Sequence, residues 1–219
     1  MNLVFPRLYA IIDPSLLTTS ELILAETLAR SGVELIQYRN KTAPSRQFFE
    51  ISRQLSSALA PRGVRFIVND RPDIAMLAGA GGVHVGQDDV GVEEARAICG
   101  SWKWVGISTH TLEQVVAAES TSADYIAIGP IFPTTTKENP DAVVGTELLR
   151  QARQITKKPL IAIGGITLER AAEVYRAGAD SLAVIRDLIC AARPGDRARE
   201  YLDMAASVAP RAAAKEGQA

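Results

Sequence analysis

Cysteine is scarce in this sequence: Cys99 and Cys190 are the only two among 219 residues. Neither has a close partner or metal-binding spacing, which removes a disulfide framework and a cysteine-built zinc site. Two buried structural thiols in a reducing compartment are the expectation. An excess of one charge is also missing. Lys and Arg total 24 against 25 Asp and Glu, a net charge of −1. General nucleic-acid or membrane-surface binding is therefore not expected, and any phosphate site must be local, built from a few cations and backbone amides. No apolar run approaches the roughly 20 residues needed to span a bilayer. Met1–Arg7 has no basic region followed by an apolar core, so a cytoplasmic protein is expected. A glycine-rich dinucleotide fingerprint is absent too: the first apolar run leads into Ile12-Asp13-Pro14-Ser15.

What is present is a regular alternation. Hydrophobic residues make up 47% and charged residues 22%, which suits a globular domain with one substantial core. Eight short runs rich in Val and Ile read as buried parallel strands: 8–12, 33–38, 64–68, 82–85, 104–107, 125–128, 160–163 and 181–185. Amphipathic stretches lie between them. In 20–30, Leu22, Ala25, Leu28 and Ala29 recur at helical spacing behind Ser20, a candidate N-cap. Segments 112–119, 146–155 and 168–177 read as helices also, the last ending before Gly178. Eight strand-plus-helix units predict a single-domain (β/α)8 barrel over 1–209, followed by a disordered tail, 210–219. A doubly wound open sheet is the structural rival.

Barrel enzymes place their chemistry at the C-terminal strand ends. After the second strand, alternation turns Gln37, Arg39 and Lys41 to one side, an arrangement suited to a diphosphate; a solvated basic turn is the bland alternative. Asn69-Asp70 follows the third strand and Gln87-Asp88-Asp89 the fourth. Carboxylates at neighbouring strand ends can share Mg²⁺, although Asp70 or Asp89 could equally cap a helix, and Asp88 competes with Asp89. Ser108, Thr109 and His110 follow the fifth strand, with His110 a general base or a polar contact. His84, between Val83 and Val85, reads as a packed core histidine. After the sixth strand comes a long loop to about Val144 that carries Thr134, Thr135, Thr136 and Lys137, groups suited to phosphate on a closing lid. Gly164-Gly165 after the seventh strand and the Ile185–Arg186 backbone after the eighth fall where barrels bind phosphate. Two anion sites on one mouth, one beside paired carboxylates, fit a substitution that releases pyrophosphate.

These stretches resemble the thiamine phosphate synthase family. The resemblance rests on six segments in order: 37–41, 68–71, 82–89, 106–111, 129–137 and 162–167, and it spans roughly Leu8 to Leu188. It implies a barrel transferase that joins a hydroxymethylpyrimidine diphosphate to a thiazole phosphate, or its carboxylated form, with Mg²⁺, by a dissociative route. It implies Gln37, Arg39, Lys41 and Asn69 on the pyrimidine diphosphate. Asp70 and Asp89 fall on Mg²⁺, the resemblance favouring Asp89 over Asp88. Ser108 and Lys137 fall on the pyrimidine substrate, and Thr134, Thr136, Gly165, Ile185 and Arg186 on the thiazole phosphate. Arg39, Lys41, Ser108 and Lys137 are the implied catalytic set. Arg186 stands where the family more often has serine, and tolerance is expected if backbone amides do the binding. The rivals are a related thiazole tautomerase acting through His110, a sugar-phosphate isomerase, and a non-catalytic phosphate-binding barrel. The sequence leaves the oligomeric state open, a homo-oligomer included.

Overall fold

A computed structural model describes residues 5–134 and 142–208. Eight parallel strands close into a barrel in sequence order, β1 next to β8. They are β1 (Leu8–Ile12), β2 (Leu35–Tyr38), β3 (Arg65–Asn69), β4 (Gly82–Val85), β5 (Trp104–Thr109), β6 (Tyr125–Ile128), β7 (Leu160–Ile163) and β8 (Ser181–Val184). Helices cover the outside: α1 (Glu21–Arg30), α2 (Ser45–Leu59), α3 (Pro72–Leu77), α4 (Val92–Cys99), α5 (Leu112–Glu119), α6 (Gly145–Ile155), α7 (Leu168–Arg176), the short α8 (Arg186–Ile189) and α9 (Pro194–Ser207). The barrel expectation holds and the open-sheet rival does not. The expected tail 210–219 lies outside the described residues. No described helix is long and apolar enough to cross a membrane.

Strand alternation sorts the core into two. Outward residues such as Ala10, Ile36, Val68, Val83, Val105, Ile126, Ala162 and Leu182 pack against the helices. Inward residues Tyr9, Ile11, Leu35, Ile67, Trp104, Tyr125, Ala127, Ile161 and Ala183 fill the barrel. Toward the C-terminal mouth the inward positions become polar: Gln37, Asn69, His84 and Ser108 all line the cavity there. β3 and β5 run further than the sequence pattern predicts, to Asn69 and Thr109. Asn69 and Ser108 are thus strand residues, aimed inward by alternation rather than by a loop.

Local signals behave as the sequence reads. The Ser20 side chain accepts a hydrogen bond from the Ile23 amide and caps α1. One cysteine expectation is corrected. Cys99 is buried, but Cys190 is exposed, because α8 lasts four residues and leaves Cys190 as its C-cap on the surface.

Candidate active site

A cavity of about 770 Å³ opens at the C-terminal mouth. That is near the upper end of the roughly 300–1,000 Å³ of ligand pockets, enough for more than one small substrate. Gln37, Arg39, Lys41, Asn69, Asp70, Asp89, Ser108, Thr134, Gly165, Ile185 and Arg186 line it, whereas Thr109 is buried and donates to the Ala127 carbonyl. Thr136 and Lys137 lie outside the described residues, as does most of the expected lid.

On the β1–β4 side the site is built from charged side chains. Arg39, just past β2, forms an ion pair with Asp13, just past β1. Asp13 is 4% exposed, and its other oxygen accepts from the Ser15 amide (3.1 Å) and hydroxyl (2.7 Å), so it is a fixed anchor for the guanidinium. Lys41 pairs with Asp70. Asp70 has φ +61°, the one positive value among the described non-glycine residues. Its amide donates to the His84 carbonyl (2.7 Å) and the Arg71 amide to the Asn69 carbonyl (2.8 Å), which holds this strained turn. Strain of this kind concentrates at functional sites, and here it turns a carboxylate to the mouth.

Asp89, at the end of β4, neighbours Asp70 at the end of β3. Its Oδ2 accepts from the Gly86 amide (2.8 Å), which fixes it there. Burial raises the Asp70 carboxyl pKa above the ordinary range and the Asp89 charge adds to this, while the Lys41 ammonium pulls it down. Two carboxylates fixed at neighbouring strand ends and supplying only oxygen fit Mg²⁺ with its remaining positions left to water and phosphate. Asp88 lines the cavity too but is exposed. Of the two, Asp89 is the one set against Asp70.

On the β6–β8 side a glycine pair follows β7 at the cavity wall. Gly164 and Gly165 have φ +96° and +63°. A Cβ on Gly164 would stand 2.4 Å from Pro130, and one on Gly165 2.5 Å from the Pro133 carbonyl oxygen. The glycine pair therefore admits the β6–α6 loop. The Ile131 amide donates to the Ile163 carbonyl (2.9 Å) and the Phe132 amide to the Gly164 carbonyl (3.0 Å), carrying Thr134 to the cavity wall. Val144 closes the base of the loop by donating to the Pro130 carbonyl (2.9 Å).

Several groups escape the sequence reading. Arg170, in the first turn of α7, lines the cavity beside Gly165. Its guanidinium lies over the Phe132 ring at 4.6 Å. An arginine one turn after the glycine pair was the available signal. Asp13 gave none, since its pairing depends on β1 and β2 lying side by side. His84 is buried, as expected of a core histidine, but it faces the cavity: Nε2 is 2.9 Å from the Ser108 hydroxyl. His110 lies at the wall with Nδ1 2.6 Å from the Gly129 carbonyl, so that nitrogen carries the proton.

A closed barrel with charged side chains on one side of its mouth and a glycine-built cradle on the other defines an enzyme of phosphorylated substrates. The family model described as thiamine monophosphate synthase matches residues 8–188, the span of the sequence resemblance. A thiamine-phosphate synthase of Koribacter versatilis is 49% identical over 210 residues, covering 93% of this chain and 97% of its own. One from Shouchella clausii is 40% identical over 186 residues, 84% and 89% of the two chains. A solved thiamine phosphate pyrophosphorylase from Pyrococcus furiosus superposes with a TM-score of 0.84 at 33% identity, covering 92% of this chain and 96% of that one. The chain belongs to the thiamine monophosphate synthase family.

Proposed function

We propose that this protein joins a 4-amino-2-methyl-5-hydroxymethylpyrimidine diphosphate to a thiazole phosphate, giving thiamine phosphate and pyrophosphate. Family membership makes it a transferase that forms thiamine phosphate. The residue roles, the metal and the route are the parts proposed. The observation that carries them is the Asp70–Asp89 pair with Lys41 and Arg39 on the same mouth as the glycine-built cradle.

Arg39, oriented by Asp13, and Lys41 bind the diphosphate, with Gln37 and Asn69 beside it. Asp70 and Asp89 would hold Mg²⁺, which would supply positive charge against the diphosphate. Ser108 contacts the pyrimidine. The bond between the pyrimidine methylene carbon and the diphosphate oxygen breaks, and the electron pair leaves with pyrophosphate. The thiazole nitrogen then supplies the pair that forms the new C–N bond. Thr134, Gly165 and the Ile185–Arg186 backbone hold the thiazole phosphate, and Thr136 and Lys137 complete the set from the β6–α6 loop. Catalysis is stabilisation of the leaving group plus positioning of two substrates, and no enzyme nucleophile enters.

The test is pyrophosphate release by purified protein. Release that requires both substrates and Mg²⁺, and falls about 10²–10³-fold in Asp89→Ala, is expected. No release from folded protein would remove the synthase reading and leave a phosphate-binding barrel, with tautomerisation through His110 the next activity to assay.

A further inference from the structure

Beneath the cavity a buried row of polar groups, Tyr9, Tyr125 and His84, links Gln37 to Ser108. The Gln37 Nε2 donates to the Tyr9 hydroxyl at 2.6 Å. The Tyr9 and Tyr125 hydroxyls are 3.0 Å apart. The Tyr125 hydroxyl is 3.1 Å from His84 Nδ1, and His84 Nε2 is 2.9 Å from the Ser108 hydroxyl. Tyr9 and Tyr125 are 1% and 0% exposed. Tyr125 stacks on the imidazole, 5.5 Å between centroids at 19°. The row has a prepared berth. A Cβ on Gly106 would stand 2.0 Å from the Tyr125 Cζ and 2.5 Å from its hydroxyl, so Gly106 is the residue that admits this tyrosine under the cavity floor.

The donors can be ordered. Tyr9 accepts from Gln37, so its own proton goes to Tyr125; otherwise a buried hydroxyl proton is stranded, at about 1–3 kcal/mol. Tyr125 accepts from Tyr9 and donates to His84 Nδ1. A neutral imidazole accepting at Nδ1 carries its proton on Nε2 and donates it to Ser108. Ser108 has then accepted from the row, and its own proton is directed to the cavity it lines. Burial pushes both phenols well above their ordinary pKa, so the row stays protonated.

We infer that Tyr125 and Tyr9 are positioning residues that act through His84 to fix Ser108 as a hydrogen-bond donor to the substrate's ring. The ring atom facing Ser108 must therefore be an acceptor, a ring nitrogen with a free lone pair. A ring that presents N–H there, as an oxo-pyrimidine does, meets two opposed protons and is refused. This substrate half rests on the pyrimidine diphosphate reading above. The tautomer half rests on geometry alone.

The experiment separates the two. The chain has two histidines, so ¹⁵N-histidine spectra of the full-length, ligand-free protein show two imidazoles, assigned with His110→Gln. His84 is expected as the Nε2–H tautomer in the wild type, and as a mixture of tautomers in Tyr125→Phe. An Nδ1–H imidazole at His84 in the wild type overturns the inference, whether or not any variant folds. In steady-state kinetics Tyr125→Phe raises KM for the pyrimidine diphosphate about tenfold and changes kcat less than about threefold, as loss of one binding contact should. Tyr9→Phe, which leaves the Tyr125–His84 bond in place, keeps the Nε2–H tautomer and raises KM less. A tenfold rise without a change of tautomer would make Tyr125 a packing residue and overturn its role. A change of tautomer with unchanged KM would overturn the link to the substrate. If the wild type turns over no pyrimidine diphosphate, the synthase reading fails while the tautomer measurement still decides the row.

Discussion

On the β1–β4 side of the mouth the cavity meets charged side chains, with Arg39 anchored by Asp13 and Lys41 by Asp70. On the β6–β8 side it meets a glycine pair packed against the 130–133 segment, with Arg170 and Arg186 at the wall. The first arrangement suits changing charge, because fixed charged groups respond strongly to charge that develops during a reaction. The second would answer shape: under the proposed function it takes the thiazole phosphate, whose charge is the same before and after reaction. The difference teaches where rate and where affinity should reside. Substitutions on the β1–β4 side should lower kcat, and those on the β6–β8 side should raise KM for the thiazole phosphate.

The sharpest way to break this contrast is Asp70→Asn. Asparagine tolerates the φ +61° turn, so the backbone should stay. Pyrophosphate release should fall about 10²–10³-fold. Folding stability of the metal-free protein should move the other way. A carboxyl whose folded pKa is raised above its unfolded value weakens the fold once pH exceeds the unfolded pKa, so at neutral pH that penalty is present and Asn removes it. A higher midpoint is expected in a thermal melt of the metal-free protein. A lower midpoint would mean that the Lys41 pair outweighs the burial and repulsion. Next comes Arg39→Ala, which leaves Asp13 buried without its cation. Arg39 and Asp13 side chains are 16% and 6% exposed, so a loss of about 2–3 kcal/mol is expected, just under that of a fully buried pair. A urea melt measures it, and a loss under about 1 kcal/mol would class the pair with ordinary surface bridges. On the other side, Gly165→Ala should raise the thiazole phosphate KM about tenfold, with kcat held within a factor of about three. Its Cβ must displace the Pro133 carbonyl at 2.5 Å and so shift the loop. A fall in kcat alone would dissolve the contrast.

Much of this architecture was readable in the sequence, for definite reasons. Strand runs such as 125–128 and 160–163 are apolar on both faces because the helices cover one and the barrel interior takes the other, which sets them apart from amphipathic helices. Strand alternation places Gln37, Arg39 and Lys41 on one side, and all three line the cavity. What was not readable depends on contacts between strands. Asp13 anchors Arg39 only because β1 pairs with β2, and Tyr125 reaches His84 only because Gly106 on β5 is empty. Asp89 could be preferred to Asp88 by resemblance, but its place against Asp70 comes from the β3–β4 neighbourhood. The position of the glycine pair after β7 suggests an anion cradle. The pair's immediate work, admitting the 130–133 segment, is a packing relation that no local pattern announces.

The smallest expected effect is the most pointed test of the backbone side. Arg186 is exposed at the cavity rim. If the phosphate is held by backbone, Arg186 adds one screened charge to a neighbourhood that already contains Arg170. Exposed charges of this kind contribute about 0–1 kcal/mol. Arg186→Ser should therefore change the thiazole phosphate KM by less than about threefold, and the change should shrink further as salt rises. A tenfold change in either direction would show that the side chain at position 186, not the backbone, governs phosphate affinity. The same measurement in an Arg170→Ala background sharpens it. If the two arginines share one phosphate their effects will not add, because contacts to a common partner couple. Additive effects would place Arg170 on Phe132 as a brace for the loop, outside the phosphate's reach.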